Sequence, residues 1–359
     1  MMEITKGNIL DTDAEAVVNT VNTVGVMGKG IALQFKQAYP DNYKAYRAAC
    51  DREEVKLGNM FVFDTGRMGA QRYIINFPTK AHWKSRSKIP DIISGLQDLI
   101  RVIREYDIRS IAVPALGCGN GGLRWDDVLP LITKSLGALA DVDVRVFPPS
   151  GAPDASEMRV ATKKPRMSPG RAALLALLTR YTRLSQEEQV TTENGASLLE
   201  IQKLMYLLQT VGEPLRLAYT KAQYGPYAEN LNHVLQQLEG HYLRGYGDRS
   251  EQILKLRPLE LLPEAENAER WLDEHPDSTL QRIDAVLQLI AGFASPYGLE
   301  LLTTVHWVST HDDPRAGEDP DVAVALVQQW SARKGHLFTT RHVKRAWERL
   351  EQSGWLATV

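Results

Sequence analysis

Cysteine is scarce in this chain of 359 residues, which contains only Cys50 and Cys118. Two cysteines cannot build a disulfide framework or a cysteine-based zinc site. The eight histidines are scattered along the chain and show no metal-ligand spacing. The sequence therefore predicts a protein that needs no metal and no other cofactor.

Long apolar runs are also missing. No run approaches the roughly 20 residues that a helix needs to cross a bilayer. The first ten residues, MMEITKGNIL, have neither the basic start nor the apolar centre of a signal peptide. We therefore expect a cytoplasmic protein without a membrane partner.

The formal net charge is small, at −2, but its distribution is uneven. Residues 1–150 contain 19 Lys and Arg against 17 Asp and Glu, whereas residues 171–359 contain 19 against 25. A first part of net +2 and a later part of net −6 are not typical of a basic nucleic-acid-binding protein. Any contact with a polynucleotide is expected to be local to the first part.

A chain of this length holds about two to three domains. Residues 1–150 alternate between strand and helix patterns, which predicts an α/β domain with helices on both faces of a mixed sheet. Residues 151–170 are rich in Pro, Ser, Gly and charge and are predicted to be a linker. Residues 171–359 are predicted to form a mostly α-helical domain, with helices at 172–184, 198–211, 228–238, 264–274, 279–293, 299–309, 322–332 and 340–352.

The stretch Val17–Phe35 places a buried strand, a glycine-rich turn and the start of a helix in direct succession. This order turns backbone N–H groups and a helix dipole towards an anion. Gly25, Gly28 and Gly30 would let the backbone approach a diphosphate closely. The pattern is neither G-x-G-x-x-G nor a P-loop, so by itself it is equally typical of an ordinary turn.

A second glycine-rich loop, Pro114–Trp125, follows the strand pattern Ser110–Val113 and precedes another helix. Ligands of open α/β sheets bind at the carboxyl ends of the strands. Two such loops can close over one diphosphate, and this favours a phosphate-binding site over two unrelated turns.

The motifs VNTVNTVGVMGKGIALQF and VPALGCGNGG resemble those of the macrodomain family, the ADP-ribose-binding fold. Within that family they resemble the DarG-type antitoxins, which are DNA ADP-ribosyl glycohydrolases. The resemblance covers residues 1–150 and implies a three-layer α/β/α fold. It also implies that ADP-ribose is bound by Asn8, Ile9, Gly25, Val26, Met27, Gly28, Gly30, Ala115, Gly117, Cys118, Gly119, Asn120 and Gly121.

Two of these positions depart from patterns known among macrodomains. The family commonly places an aspartate for adenine where this chain has Asn8, and a neutral amide is expected to bind adenine more weakly. Asn8 as an ordinary turn residue is the alternative. Related lysine-dependent enzymes that act on proteins have an aspartate where this chain has Gly121, an absence that DarG-type proteins share. Cys118 has no histidine partner nearby and is expected to pack beneath the loop.

The resemblance implies that Lys80 and Asn22 are the catalytic residues, with the Asn22 amide bonding the hydroxyls of the distal ribose, while Asn19 is expected to be structural. Lys80 would act as a base or as an amine that attacks the anomeric carbon, and both roles require a neutral amine. Repulsion from Lys84, Arg86 and Lys88, nearby in sequence, would favour that form. A solvated loop lysine is the alternative.

The segment that contains His82, Trp83, Lys84 and Arg86 combines cations with one large aromatic residue. Such a segment can hold a phosphate backbone and stack a base, or it can be a solvated loop. The resemblance favours contact with DNA, because the family's substrate is ADP-ribosylated single-stranded DNA.

In the helical part, LLEIQKLMYLLQ followed by AQYGPYAENL resembles the Panacea (SocA-like) antitoxin domain over residues 195–240. Two core helices around the Gly225-Pro226 turn are the alternative interpretation. The two resemblances together imply that residues 171–359 bind a DarT-like ADP-ribosyltransferase toxin, and their excess acidity would suit a basic groove.

The sequence thus predicts an antitoxin that removes ADP-ribose from bases of single-stranded DNA and restrains its cognate toxin. One alternative is a non-catalytic ADP-ribose reader with an interaction domain, and another is a hydrolase directed at ADP-ribosylated proteins. Lys80 distinguishes the enzyme from the reader, and residues 82–88 distinguish a DNA substrate from a protein substrate.

Overall fold

The structure is a computed structural model that describes residues 1–151, 153–191, 193–249, 258–275 and 277–356. The chain forms two compact units. The first unit contains residues 1–163 and 247–251, and the helical unit contains residues 164–246 and 252–359. The predicted linker, 151–170, therefore divides between the two units, and its Ala152 lies outside the described residues, as do parts of the predicted helical domain.

The first unit is built on a six-stranded sheet in the order β1-β6-β5-β2-β4-β3. All neighbours are parallel except β3 and β4, so the mixed sheet that the sequence predicts is confirmed. The strands are β1 (Met2–Ile4), β2 (Ala16–Asn22), β3 (Phe61–Asp64), β4 (Tyr73–Lys80), β5 (Ser110–Pro114) and β6 (Asp143–Phe147). The helices are α1 (Ile31–Ala38), α2 (Pro40–Asp51), α3 (Ile89–Glu105) and α4 (Trp125–Leu136), with 3₁₀ turns at Ile9–Asp11 and Ala155–Glu157.

The first unit has three layers, with helices on both faces of the sheet, because the side chains of each strand alternate between the two faces. Val18 of β2 belongs to a core that includes apolar residues of α3 and α4, whereas Val17 belongs to a separate core with Phe35 of α1. Successive residues of a strand point to opposite faces, so one strand serves both cores. Helix α3 lies very close to the sheet at Gly95, where an added Cβ would lie only 2.2 Å from the ring of Phe77.

Three asparagines with 0% exposure connect β2, β4 and α2. Asn19 Nδ2 donates to Asn76 Oδ1 at 3.0 Å, and Asn76 Nδ2 donates to Asn42 Oδ1 at 2.8 Å. Asn19 is structural, as the sequence suggests: it joins two strands, and its Nδ2 also donates to Sδ of Met27 in the first glycine loop at 3.9 Å, which ties that loop to its strand. The bonds satisfy buried polar groups that would otherwise be costly.

Strand β4 extends beyond the predicted segment 72–77 and ends at Lys80. The antiparallel partner β3 pairs only as far as Asn76, so Pro78 has a strand neighbour on one side alone. A proline, which lacks an N–H, is tolerated there. The extension matters because it pairs Asn22 of β2 with Lys80 of β4.

The helical unit has one large apolar core. Its helices are α5 (Pro169–Glu187), α6 (Leu198–Thr210), α7 (Leu231–Leu238), α8 (Asn267–Glu274), α9 (Thr279–Ile290), α10 (Pro296–Trp307), α11 (Pro320–Trp330), α12 (Ala332–Leu337) and α13 (Thr340–Gln352). Short strands are β7 (Gly195–Ala196), β8 (Tyr219–Ala222), β9 (Gly225–Ala228), β10 (Leu243–Arg244) and β11 (Leu259–Leu261), and the remaining turns are Pro263–Glu266, Val308–Asp312 and Pro314–Gly317. Among the described residues, no helix is both long enough and apolar enough to span a membrane.

The segment that resembles the Panacea domain forms α6, the β8–β9 hairpin and α7 in succession. A capping box between Ser197 and Glu200 starts α6. The predicted helix 228–238 begins only at Leu231, because Ala228 pairs with Tyr219 in the hairpin.

Candidate active site

Two glycine loops lie at the carboxyl ends of neighbouring strands. The first loop, residues 23–30, joins β2 to α1, and the second loop, residues 115–124, joins β5 to α4. A Cβ on Gly30 would lie 3.0 Å from Asn120 Nδ2. The two loops therefore meet, and this is the arrangement that two loops around one diphosphate require.

Asn22 fixes the shape of the first loop. Its Nδ2 donates to Val26 O at 2.6 Å, and its Oδ1 accepts from Val24 N at 3.0 Å and Val26 N at 3.2 Å. Tyr46 donates its hydroxyl to Asn22 O at 2.5 Å. The Asn22 side chain is thus engaged within the loop and only 4% of the residue is exposed, while its predicted bond to ribose stays a prediction.

The other predicted contacts of the first loop have different surroundings. Gly25 has φ +74°, and a Cβ there would lie 2.5 Å from Arg47 Cδ. The Met27 side chain is buried in a core with Tyr46, so that its backbone alone remains for a ligand. A Cβ on Gly28 would touch only Val26, at 3.6 Å.

Gly30 N–H already has an acceptor inside the first unit, namely Asp248 O at 2.8 Å. Asp248 Oδ2 also accepts from Gln34 Nε2 at 2.7 Å, across 214 residues of sequence. The loop pattern predicts that Gly30 donates to a diphosphate, whereas here its N–H is occupied by the backbone of Asp248. No local sequence signal pointed to Asp248.

Hydrogen bonds within the second loop hold its backbone in a tight turn. Cys118 N donates to Ala115 O at 3.2 Å, and Gly122 N donates to Gly119 O at 3.0 Å. A Cβ on Gly121 would lie 2.3 Å from Gly117 O, so this glycine is required by packing. A Cβ on Gly119 would meet nothing within 4 Å, so this position of the loop borders open space.

Cys118 packs against the apolar core that α3 and α4 form with the sheet. Its Sγ–H donates to Leu116 O at 3.5 Å. Burial, with a smaller effect of Asp127, raises the pKa of this thiol to about 11. The thiol is therefore protonated at neutral pH and is not an activated nucleophile.

Asn8 lies at the start of the 3₁₀ turn Ile9–Asp11, next to the buried Ile9. Its Oδ1 accepts from Leu10 N at 3.0 Å, whereas its Nδ2 is buried without a hydrogen-bond partner among the described residues. The sequence predicts that the amide oxygen accepts from the amine of adenine. In the structure the part of the amide that has no partner is instead the Nδ2 donor, which suits a ring nitrogen of adenine as acceptor.

Lys80 is the last residue of β4 and the register partner of Asn22. Its Nζ donates to Asn120 O of the second loop at 3.0 Å and to Trp83 O at 3.1 Å. Burial lowers the pKa of the half-buried amine below its ordinary value. Burial rather than repulsion from the predicted neighbouring cations is therefore the physical cause.

The predicted DNA-contact residues form an exposed segment beside Lys80. Trp83 is 48% exposed, its ring stacks with His82 at 5.4 Å between centroids, and Lys84 Nζ lies 4.9 Å from its ring centroid. Arg86 is exposed as well, whereas Ser87 is buried and donates its N–H to Gly121 O at 3.0 Å. Ser87, which belongs to no recognisable motif in the sequence, thus attaches this segment to the second loop.

Comparison with known proteins identifies the family of this chain. The family model for the Macro domain matches residues 18–132. The chain is 44% identical over 354 residues to the DNA ADP-ribosyl glycohydrolase of Mycobacterium tuberculosis, across 98% of this chain and 99% of that relative. It is also 44% identical over 357 residues to the protein of the same name from Thermus aquaticus, across 99% of this chain and 94% of that relative.

Among solved structures, the macrodomain of Mycobacterium tuberculosis DarG is 56% identical across 42% of this chain and 99% of its own, with a TM-score of 0.41. Because the sequence similarity to the curated relatives extends over nearly the whole chain, it includes both units. The chain belongs to the DarG family of DNA ADP-ribosyl glycohydrolases.

Proposed function

We propose that this chain is the antitoxin of a DarT–DarG-type pair. Its first unit hydrolyses the N-glycosidic bond between ADP-ribose and a base of single-stranded DNA. The observation that carries the proposal is the position of Lys80, which pairs in register with Asn22 and is bonded to Asn120 of the second loop. The relatives named DNA ADP-ribosyl glycohydrolase support it.

ADP-ribose would lie along the two glycine loops. Its diphosphate would face the open position at Gly119, and its adenine would lie towards Asn8 and the buried Ile9. The distal ribose would then lie near Lys80, which contacts the same second loop. In this arrangement the amine is close to the bond that must be broken.

The neutral form of Lys80 is the reactive one in both mechanisms that remain open. It would accept a proton from water or from the ring-opening hydroxyl of ribose. Alternatively, it would attack the anomeric carbon and break the N-glycosidic bond, so that the DNA base leaves with a proton; opening of the ribose ring would then give a Schiff base, which water would hydrolyse to release ADP-ribose and Lys80. Partial burial favours the neutral amine, whereas the two carbonyl acceptors Trp83 O and Asn120 O favour the ammonium ion. Loss of these bonds when substrate displaces a carbonyl would free the amine for reaction.

The exposed segment of residues 82–88 would hold the DNA strand. Trp83 offers an exposed ring for base stacking, and Lys84 and Arg86 offer charges for phosphates. Lys80 is bonded directly to the backbone of Trp83, so a nucleotide stacked there would lie next to the reactive amine. We place this activity in the cytoplasm, where its DNA substrate would be.

The helical unit would bind and restrain the toxin. Residues 171–359 have 19 basic and 25 acidic side chains, and a DNA-modifying enzyme needs a basic groove for its substrate. Charge complementarity therefore favours an encounter between the two surfaces. A helical extension that only stabilises the macrodomain is the alternative.

The test of the enzymatic proposal compares ADP-ribosylated single-stranded oligonucleotide with ADP-ribosylated peptide as substrates. The oligonucleotide should lose ADP-ribose much faster than the peptide. Lys80→Ala should abolish release while calorimetric binding of ADP-ribose is largely retained, and Lys134→Ala on the exposed side of α4 is the matched control. Near wild-type turnover by Lys80→Ala would exclude Lys80 from the catalytic mechanism. Binding of ADP-ribose without its release by the wild type would indicate a non-catalytic reader. Faster release from the peptide would indicate a hydrolase that acts on proteins.

The test of toxin restraint separates it from catalysis. The full chain carrying Lys80→Ala should still co-purify with the toxin and inhibit DNA modification in vitro. Residues 171–359 expressed without the macrodomain should do the same. A folded fragment that neither binds nor inhibits would leave the glycohydrolase as the only antitoxin activity.

A further inference from the structure

The helical unit contains a cavity of about 290 Å³ between α6 and the β8–β9 hairpin. Its lining includes Leu198 and Leu199 of α6 and Tyr224 and Tyr227 of the hairpin. Both tyrosines are only half-buried and the adjoining Gln223 is exposed, so the cavity opens to solvent. Its size suits a group about as large as one amino-acid residue, at the lower end of ligand pockets.

Lys203 is the cation in this apolar lining, and only 1% of the residue is exposed. Its Nζ donates to Pro226 O at 2.7 Å, and among the described residues this is its one hydrogen bond. An ammonium group has three donors. A Cβ on Gly225, whose φ is +94°, would lie 3.2 Å from Nζ, so the glycine leaves space beside the charge.

The buried charges around Lys203 do not balance. Glu300 accepts from Lys334 Nζ at 2.6 Å and from both terminal nitrogens of Arg333, at 2.7 and 3.0 Å. This carboxylate is therefore already shared by two cations, and Lys203 forms no ion pair within the described ranges. Burial, reinforced by repulsion from Lys334 and only partly offset by the attraction of Glu300, lowers the pKa of Lys203 to about 7. A buried cation without a counter-ion is unfavourable, and an anion placed beside it would relieve that cost.

We propose that this cavity binds an apolar carboxylate, with the carboxylate on Lys203 and the apolar body against the leucines of α6 and the tyrosines of the hairpin. Two sources have this chemistry, namely a small free carboxylic acid and the C-terminal residue of a polypeptide. The site is separate from ADP-ribose chemistry, because the proposed glycohydrolase uses none of these residues.

Calorimetry on the full chain tests the proposal with two pairs of probes. One pair is 3-phenylpropionate and its amide, 3-phenylpropanamide, and the other is the dipeptide acetyl-Ala-Phe with a free or an amidated C-terminus. Each carboxylate should bind about tenfold or more tightly than its amide, because it adds a charge-assisted hydrogen bond. Tighter binding of the small acid would identify a free acid as the source, and tighter binding of the peptide would identify a chain terminus. Equal affinity of acid and amide, or no binding by any probe, would overturn the proposal.

Three variants connect the binding to this cavity. Lys203→Met should weaken the carboxylates by about tenfold or more and leave the amides unchanged. Ala222→Phe should fill the cavity and abolish binding of every probe, whereas Thr220→Phe on the exposed part of the same hairpin is the control. Ala222→Phe keeps the test decisive if Lys203→Met does not fold. Wild-type affinity in either cavity variant would refute the site, and unchanged glycohydrolase activity would show that it is independent of the proposed reaction.

Discussion

The second glycine loop offers a sharp test of the ADP-ribose site, because a side chain at Gly119 has room. A Cβ there meets nothing within 4 Å, so Gly119→Glu should add a carboxylate without displacing the loop. Two like charges about 5 Å apart at an effective dielectric constant of about 20 repel by roughly 3 kcal/mol. We therefore expect Gly119→Glu to weaken ADP-ribose binding by roughly 100-fold.

Two further variants separate charge from size and from folding. Gly119→Gln adds a similar volume without the charge and should weaken binding much less. The deficit of Gly119→Glu should also shrink as salt is raised, whereas that of Gly119→Gln should not. Gly121→Ala should instead destabilise the loop, because its Cβ would lie 2.3 Å from Gly117 O and from Ser87 Oγ.

Calorimetry with ADP-ribose gives the affinities, and thermal denaturation shows which variants keep the wild-type Tm. Gly119→Glu should keep the Tm and lose the ligand, while Gly121→Ala should lower the Tm. Wild-type affinity in folded Gly119→Glu would show that the diphosphate does not lie at the second loop, and the proposed position of the ligand would be wrong.

Three other expectations follow from particular residues. The glycohydrolase rate at limiting substrate should rise with pH and level off below 10.5, because burial lowers the pKa of Lys80 from that ordinary value and the neutral amine reacts; a flat profile would exclude titration of this amine. Gly95→Ala should lower the free energy of unfolding by about 1–3 kcal/mol in a denaturant titration, since its Cβ would lie 2.2 Å from the Phe77 ring, and an unchanged value would show that the ring can move aside. In the folded chain the pKa of Lys203 is lowered to about 7, so between that pH and 10.5 the unfolded chain binds one more proton at this residue than the folded chain. The free energy of unfolding should therefore rise with pH through this window. Lys203→Met should remove that rise.

The sequence was informative about the first unit because its signals are local. The short apolar run at the start of β2 and the helical periodicity in α3 depend only on near neighbours along the chain. Strands β7 to β11 contain two to four residues each, too few to show any period. For this reason the sequence pattern predicts a helix at Ala228, although its backbone pairs across the hairpin with Tyr219.

The candidate site shows the same division between local and distant effects. The glycine loops and Lys80 follow strand patterns and are visible in the sequence, as is the exposed segment around Trp83. The bond from Gly30 to Asp248 and the partial burial of Lys80 depend on tertiary structure, so no local pattern contains them. The orientation of the Asn8 amide likewise depends on the turn that forms after it.

The interlocked asparagines beneath the site belong to an interior that buries no Lys, Arg, His, Asp or Glu within the described part of residues 1–151. Within the described part of residues 1–151, the buried polar side chains are all Asn, Gln, Ser or Thr, whereas the helical unit buries Lys203, Glu300, His306 and Lys334. Burial raises the pKa of Tyr46 and of Cys50, so both stay protonated near neutral pH, whereas burial lowers the pKa of Lys203, Lys334 and His306 in the helical unit. A change of pH should thus act on the framework of the helical unit, and in the macrodomain it should act mainly on the chemistry of the site.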